Sequence, residues 1–201
     1  MAFLAGHRLH IHAGRGRRWL RGALAIVFGA VIGLACAANA PETQEYRLKA
    51  VFLFNFSRFV DWPEAAFASA DQPLAICVLG EDPFDSYLDE AVRGEKVDSR
   101  TLIVRRYRNA EGIDACQVLY IGRSEAARLD EIEERCRRHA ILSVSDLANF
   151  DERGGMIGFV TESNHVRLRI NVAAAKAAGL TISSKLLRAA NVPTNDDRRA
   201  E

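Results

Sequence analysis

Between residues 41 and 201 the side chains that most often carry chemistry are few. The only histidines there are His139, beside Arg137 and Arg138, and His165, beside a turn. Both read as solvated surface residues, and two distant imidazoles do not assemble the clustered ligands a zinc site needs. No Gly-x-Ser-x-Gly elbow is present to frame a serine nucleophile. Cys77 and Cys116 fall within strand-like runs, not at a helix start where a thiolate is activated. Val78-Leu-Gly-Glu-Asp-Pro83 has the form of strand, glycine turn and helix, the place where open α/β sheets bind ligands. One glycine does not cradle a phosphate, and Glu81 and Asp82 repel one. The chemistry left is recognition of a small uncharged or cationic ligand at strand ends, by Gly80, Asp82, Ser124, Ser145 and Asp146. No metal and no cofactor is expected.

The elements that position these residues follow from hydropathy patterning. Residues 45–60 read as a helix ending at Asp61-Trp62-Pro63, since the residue before proline avoids the α region. Leu48, Phe52, Phe56 and Phe59 share one arc, and Tyr46, Ala50, Leu53 and Val60 the next. Residues 73–79 are a short continuous apolar run of the kind that forms a strand buried on both faces, and 101–107, 117–121 and 140–144 read as the strands that follow. Between them fall a helix over 83–92, with Asp82 as N-cap, and another over 125–138, with Ser124 as N-cap. Residues 156–161 and 165–170 form an antiparallel hairpin, with Val166, Leu168 and Ile170 on one face and Arg167 and Arg169 on the other. Asn171 opens an Ala-rich helix that Gly179 stops, and Ser183 or Ser184 opens the last helix, to Ala190. The fold class is therefore α/β: a mostly parallel sheet flanked by helices on both faces, with an antiparallel C-terminal hairpin. Residues 41–192 make one domain, and 193–201 read as a disordered charged tail.

Charge distribution narrows the partners. The chain of 201 residues carries 27 Lys and Arg against 26 Asp and Glu. Arg8, Arg15, Arg17, Arg18 and Arg21 stand in the first forty residues with no acid, which leaves 22 bases against all 26 acids in the rest. A mildly acidic body lacks the basic footprint of a nucleic-acid binder. The basic stretch precedes an apolar run, Ala23–Ala35, too short to span a bilayer, and then Ala38-Asn-Ala40. Residues 1–40 read as a cleavable signal peptide, which exports the mature chain. A lipoprotein anchored through Cys36 fits less well, because Gly33 stands where a lipobox places a large aliphatic residue.

Export leaves Cys77, Cys116 and Cys136 in an oxidising compartment. Three thiols allow three single bridges and leave one cysteine over. If the strands carrying Cys77 and Cys116 are neighbours, those two reach bridging distance; otherwise both are small buried hydrophobes. A surface for a protein partner is suggested by the first helix. Val51 and Phe54 lie on its polar side beside Arg47 and Arg58, and an exposed Phe flanked by Arg suits an interface anchor.

The segment Tyr46-Arg-Leu-Lys-Ala-Val-Phe-Leu-Phe-Asn-Phe-Ser-Arg-Phe-Val-Asp-Trp-Pro63 resembles the opening helix of the YfiR family of bacterial periplasmic proteins. Ile76-Cys-Val-Leu-Gly80, Ile141-Leu-Ser-Val-Ser-Asp146 and Phe150 with Gly154-Gly-Met-Ile157 are also similar to that family. So are Asn171 with Ala174-Ala175, Ala178-Gly-Leu180 and Ser184-Lys-Leu-Leu-Arg188. The resemblance covers residues 45–192. It implies a non-enzymatic α/β regulator, often a homodimer. The best-understood member represses an inner-membrane diguanylate cyclase by binding its periplasmic domain, which restrains cyclic di-GMP and biofilm. It also implies that Cys77 and Cys116 form one of the family's disulfides. The family's second bridge has no counterpart, since no cysteine follows Cys136. The alternative is a soluble periplasmic module that binds a small ligand without a cyclase partner.

Overall fold

A computed structural model describes residues 40–190 except Asn164. The signal-peptide reading of 1–40 and the disordered-tail reading of 193–201 concern residues outside that description, save for Ala40. The chain divides into two compact units, Met1–Glu42 and Thr43–Glu201, and the fold described here is that of the second.

Helix α1 (Ala40–Phe59) runs into a two-residue strand β1 (Val60–Asp61). Then come β2 (Leu74–Leu79), α2 (Tyr87–Val92), β3 (Lys96–Val97) and β4 (Arg100–Tyr107). Strand β5 (Val118–Ile121) leads through a 3-10 helix, Arg123–Arg128, into α3 (Leu129–Arg138) and β6 (Leu142–Ser145). The hairpin β7 (Ile157–Glu162) and β8 (His165–Ile170) precedes α4 (Val172–Ala177), β9 (Thr181–Ile182) and α5 (Ser184–Ala190).

The main sheet has seven strands in the order β3-β4-β2-β5-β6-β7-β8. The five central strands are parallel; β3 on β4 and β8 on β7 are antiparallel. The expected fold class is therefore the observed one. All six residues of β2 and all four of β5 are buried, because helices cover both faces. On one face Ile76, Val78, Val118, Tyr120 and Val144 meet α1 and α2. On the other, Cys77, Leu79, Leu119 and Ile121 meet Leu129, Ile132 and Cys136 of α3. This alternation is why continuous apolar runs, rather than alternating ones, mark these strands.

Some boundaries differ from the expected ones. The second helix begins at Tyr87 rather than residue 83. Asp82 Oδ1 accepts the Phe84 N–H at 2.8 Å, closing a local turn in place of a helix cap. Ser124 does not cap a helix either: it lies inside the 3-10 segment, and α3 starts five residues later. The strands β1 and β9, antiparallel to each other, and β3 lie in segments with no apolar run to announce them. Leu48, placed by periodicity on the apolar arc, is 44 % exposed. The C-terminal elements match: Asn171 Oδ1 accepts the Ala174 N–H at 2.9 Å, and Gly179 takes the left-handed φ of +76° that ends α4.

Adjacent β2 and β5 bring Cys77 and Cys116 together, and the two form a disulfide with Cα atoms 6.0 Å apart across 39 residues of chain. Cys136 stays a free, buried thiol on the same side of the sheet, its pKa pushed up by burial. The closed loop holds the end of β2, then α2, β3 and β4, so the bridge restricts the unfolded ensemble broadly. A double variant, Cys77→Ser with Cys116→Ser, should unfold about 4 kcal/mol more easily, the chain-entropy value for a loop of this length. Urea unfolding of oxidised wild type and variant measures the difference.

Candidate functional site

The carboxyl ends of the parallel strands gather most of the residues singled out above. Two glycines allow the approach. Gly80, leaving β2 at φ +83°, has Ser124 Oγ in the space where a Cβ would stand. Gly122, leaving β5, has the Glu81 carbonyl oxygen 2.7 Å from its own missing Cβ. A side chain at either position would force the two exits apart. Ser124 uses the space: its Oγ accepts the Glu81 N–H at 3.0 Å.

Asp146, just past β6, is the centre of the cluster. Its side chain is 3 % exposed and its Oδ2 lies 2.8 Å from Lys49 Nζ, whose side chain is 1 % exposed. The Tyr46 hydroxyl donates to the same oxygen at 2.8 Å, and Arg123 donates to both carboxylate oxygens at 3.2–3.3 Å. Tyr120, buried on β5, lies beside them, close enough for the Asp146 charge to act on its hydroxyl. Lys49 also reaches Glu45 at 2.6 Å, and Glu45 accepts the Thr161 hydroxyl of β7 at 3.0 Å. Burial alone would raise the Asp146 pKa, but Lys49, Tyr46 and Arg123 outweigh it and hold the carboxyl below its ordinary range. Burial, and then the Asp146 charge, drive both tyrosine hydroxyls above theirs. The group is a locked ion pair, with neither a free base nor a free acid in it.

The other expected ligand residues are held in the same way. Ser145 Oγ donates to the Ile121 carbonyl at 2.7 Å and accepts the Leu147 N–H at 3.1 Å. Asp82 is bound by Phe84 N–H and by Arg106, which also reaches Asp89. Thus Gly80, Ser124, Ser145 and Asp146 lie together at the strand ends, while Asp82 faces β4. A cavity of about 260 Å³ opens beside Asp146, between the loop 147–151 and β7, with Phe150, Phe159, Thr161 and Arg169 in its wall. Among the described residues no group of three or more His, Cys, Asp and Glu can hold a metal ion, and no helix is long and apolar enough to cross a membrane.

The four residues expected to meet a partner share one face of α1. Arg47, Val51, Phe54 and Arg58 follow at spacings of four, three and four, a single stripe on a helix. Val51 is 46 % exposed and Phe54 half-buried. On the inner side of the same helix Lys49, Leu53 and Phe56 repeat the spacing, and Val60, the first residue of β1, continues it. Lys49 is the functional-site residue that the periodicity reading passed over. Its signal was a charge standing in line with three core positions.

A second buried carboxylate behaves differently. Glu133 of α3 accepts the Ser143 hydroxyl at 2.9 Å through Oε2, while Oε1 has no partner. Burial pushes its pKa from 4.5 to about 7, only partly opposed by Ser143 and Arg137.

The fold is a mostly parallel α/β sheet whose strand-end polar groups are tied to one another. The chain belongs to the YfiR/HmsC-like family, whose model matches residues 46–191. Among curated proteins none matches it.

Two outcomes follow from the contrast between the carboxylates. Lys49→Met strips Asp146 of its main buried counter-charge and should cost about 3–5 kcal/mol in urea unfolding, the range for breaking a buried pair. For Glu133 the folded pKa lies above the unfolded one, so folding favours the proton. Stability from this group is whole below about pH 4.5, falls as pH rises, and is about 3 kcal/mol lower above pH 7. Glu133→Gln should therefore raise Tm at pH 8 and change it little at pH 5, a comparison that thermal melts at the two pH values make directly.

Proposed function

We propose that the chain is a periplasmic regulatory protein that represses an inner-membrane diguanylate cyclase by binding its periplasmic domain, and so controls cyclic di-GMP and biofilm formation. The observation that carries this reading is family membership over residues 46–191, nearly the whole of the folded unit. The arrangement at the strand ends supports it, because groups spent on one another stabilise a shape and are not poised to transform a substrate. Export through residues 1–40 and assembly as a homodimer belong to the same reading. A second reading, a periplasmic module for a small ligand, draws support from the cavity beside Asp146; a ligand there would raise Tm with concentration.

Deleting the gene should raise intracellular cyclic di-GMP, and the intact chain supplied in trans should bring it back down. Unchanged cyclic di-GMP across several growth conditions would overturn the repressor reading.

A further inference from the structure

The outer face of α1 is unlike the rest of the surface. Leu48 and Val51 are the large apolar side chains that stand exposed among the described residues, at 44 % and 46 %. Phe54 lies half-buried one turn beyond Val51. Arg47 and Arg58 close the stripe at either end, about 16 Å apart along the helix axis. Arg47 lies over the Tyr87 ring, 4.9 Å from its centroid, and Arg58 over the Phe54 ring at 5.7 Å. Neither guanidinium has a carboxylate partner among the described residues, whereas Arg106, Arg123, Arg128 and Arg135 each have one. The two charges are thus propped on aromatic rings and left unneutralised around an apolar centre.

That charge pattern selects the occupant. A second copy of the chain laid antiparallel on this stripe would set Val51 against Phe54 of the other copy, a fitting apolar contact. The same operation sets Arg47 against Arg58 at both ends, and like charges facing across an interface disfavour it. A surface with an apolar knob between two carboxylates satisfies both the centre and the ends. We infer that the stripe Arg47-Val51-Phe54-Arg58, with Leu48 beside it, docks an acidic, apolar-centred face of a protein partner. Resting on the regulator reading above, this partner is the periplasmic domain of the cyclase. The helix is suited to the task because its inner face is pinned by Lys49 on Asp146, so the outer face is presented in one register.

The test uses the full chain, expressed in the deletion strain, with three variants: Val51→Glu, the double reversal Arg47→Glu with Arg58→Glu, and Arg138→Glu on α3 as a charge-reversal control. Cyclic di-GMP in the cell, binding to the purified periplasmic domain of the cyclase, and Tm are read for each. Val51→Glu and the double reversal should bind at least about tenfold more weakly and fail to restore repression. Their Tm should stay within about 3 °C of wild type, since the changed atoms face solvent. The control should repress normally. Raising salt should weaken wild-type binding more than binding by the double reversal. If the deletion raises cyclic di-GMP but both stripe variants restore repression, the docking surface is overturned and the regulator reading stands. Should the deletion leave cyclic di-GMP unchanged, the regulator reading falls and takes this partner with it. If Val51→Glu instead converts a dimer into a monomer while still binding the cyclase, the stripe is a contact between copies and the inference is wrong. A melt that shows either variant unfolded shifts the decision to the other variant and to the salt dependence of the wild type.

Discussion

Lys49 and Asp146 are two charges taken almost wholly out of water, 97 residues apart in the chain. Such a pair is costly unless its remaining hydrogen-bonding capacity is met. Here it is: Tyr46 and Arg123 supply further donors to the carboxylate, and Glu45 receives the ammonium from the other side. The participants come from α1, the segment after β5, and the segment after β6. Once they meet, α1 can neither rotate nor slide without leaving a buried charge unpaired. Apolar packing alone would tolerate small shifts of a helix on a sheet; a salt bridge with this geometry does not. The rotation of α1 in turn decides that Leu53 and Phe56 point inward and that Val51 points out.

The two faces of the sheet are secured by different means. Beneath α1, aromatic rings interlock. Tyr46, Phe84 and Tyr120 make successive edge contacts, while Phe52, Phe56 and Phe159 form a second group against β7. Beneath α3 the packing is aliphatic, and a covalent bridge ties β2 to the start of β5. Glu133 sits on this second side with half its hydrogen-bonding capacity unmet. The contrast between Asp146, held ionised by a ring of donors, and Glu133, pushed toward its neutral form by burial, comes from partners and not from depth. Both carboxylates are inside; only one was given a cation in contact.

The central strand β2 was legible because burial on both faces writes itself as a continuous apolar run, whereas the two-residue strands β1, β3 and β9 carry no such run. Helix starts were less legible. Asp82 and Ser124 have the right side chains for caps, but other partners claim them: a local turn to Phe84 N–H together with Arg106 of β4 for the first, and Glu81 N–H for the second. Local capping rules cannot see a donor that arrives from a neighbouring strand exit. The arc reading of α1 placed the aromatic residues of its apolar arcs well, misjudged Leu48, and left Lys49 unplaced, because hydropathy gives a lysine no inward role before its partner is known. The closeness of Cys77 and Cys116 rested on strand adjacency, which the sequence left as a condition and the pairing of β2 with β5 supplies.

A helix whose inner face is fixed by an ion pair has an outer face fixed as well. The conformational entropy that an interface would otherwise lose on binding has then been spent during folding, and association keeps more of its contact energy. The Arg47 and Arg58 side chains extend this logic, since rings beneath each guanidinium restrict its rotamers. The strand ends, which in other α/β sheets hold ligands, anchor the helix in this chain through Asp146. Chemistry that could have served a substrate on one side of α1 serves, from beneath, the shape of the other side.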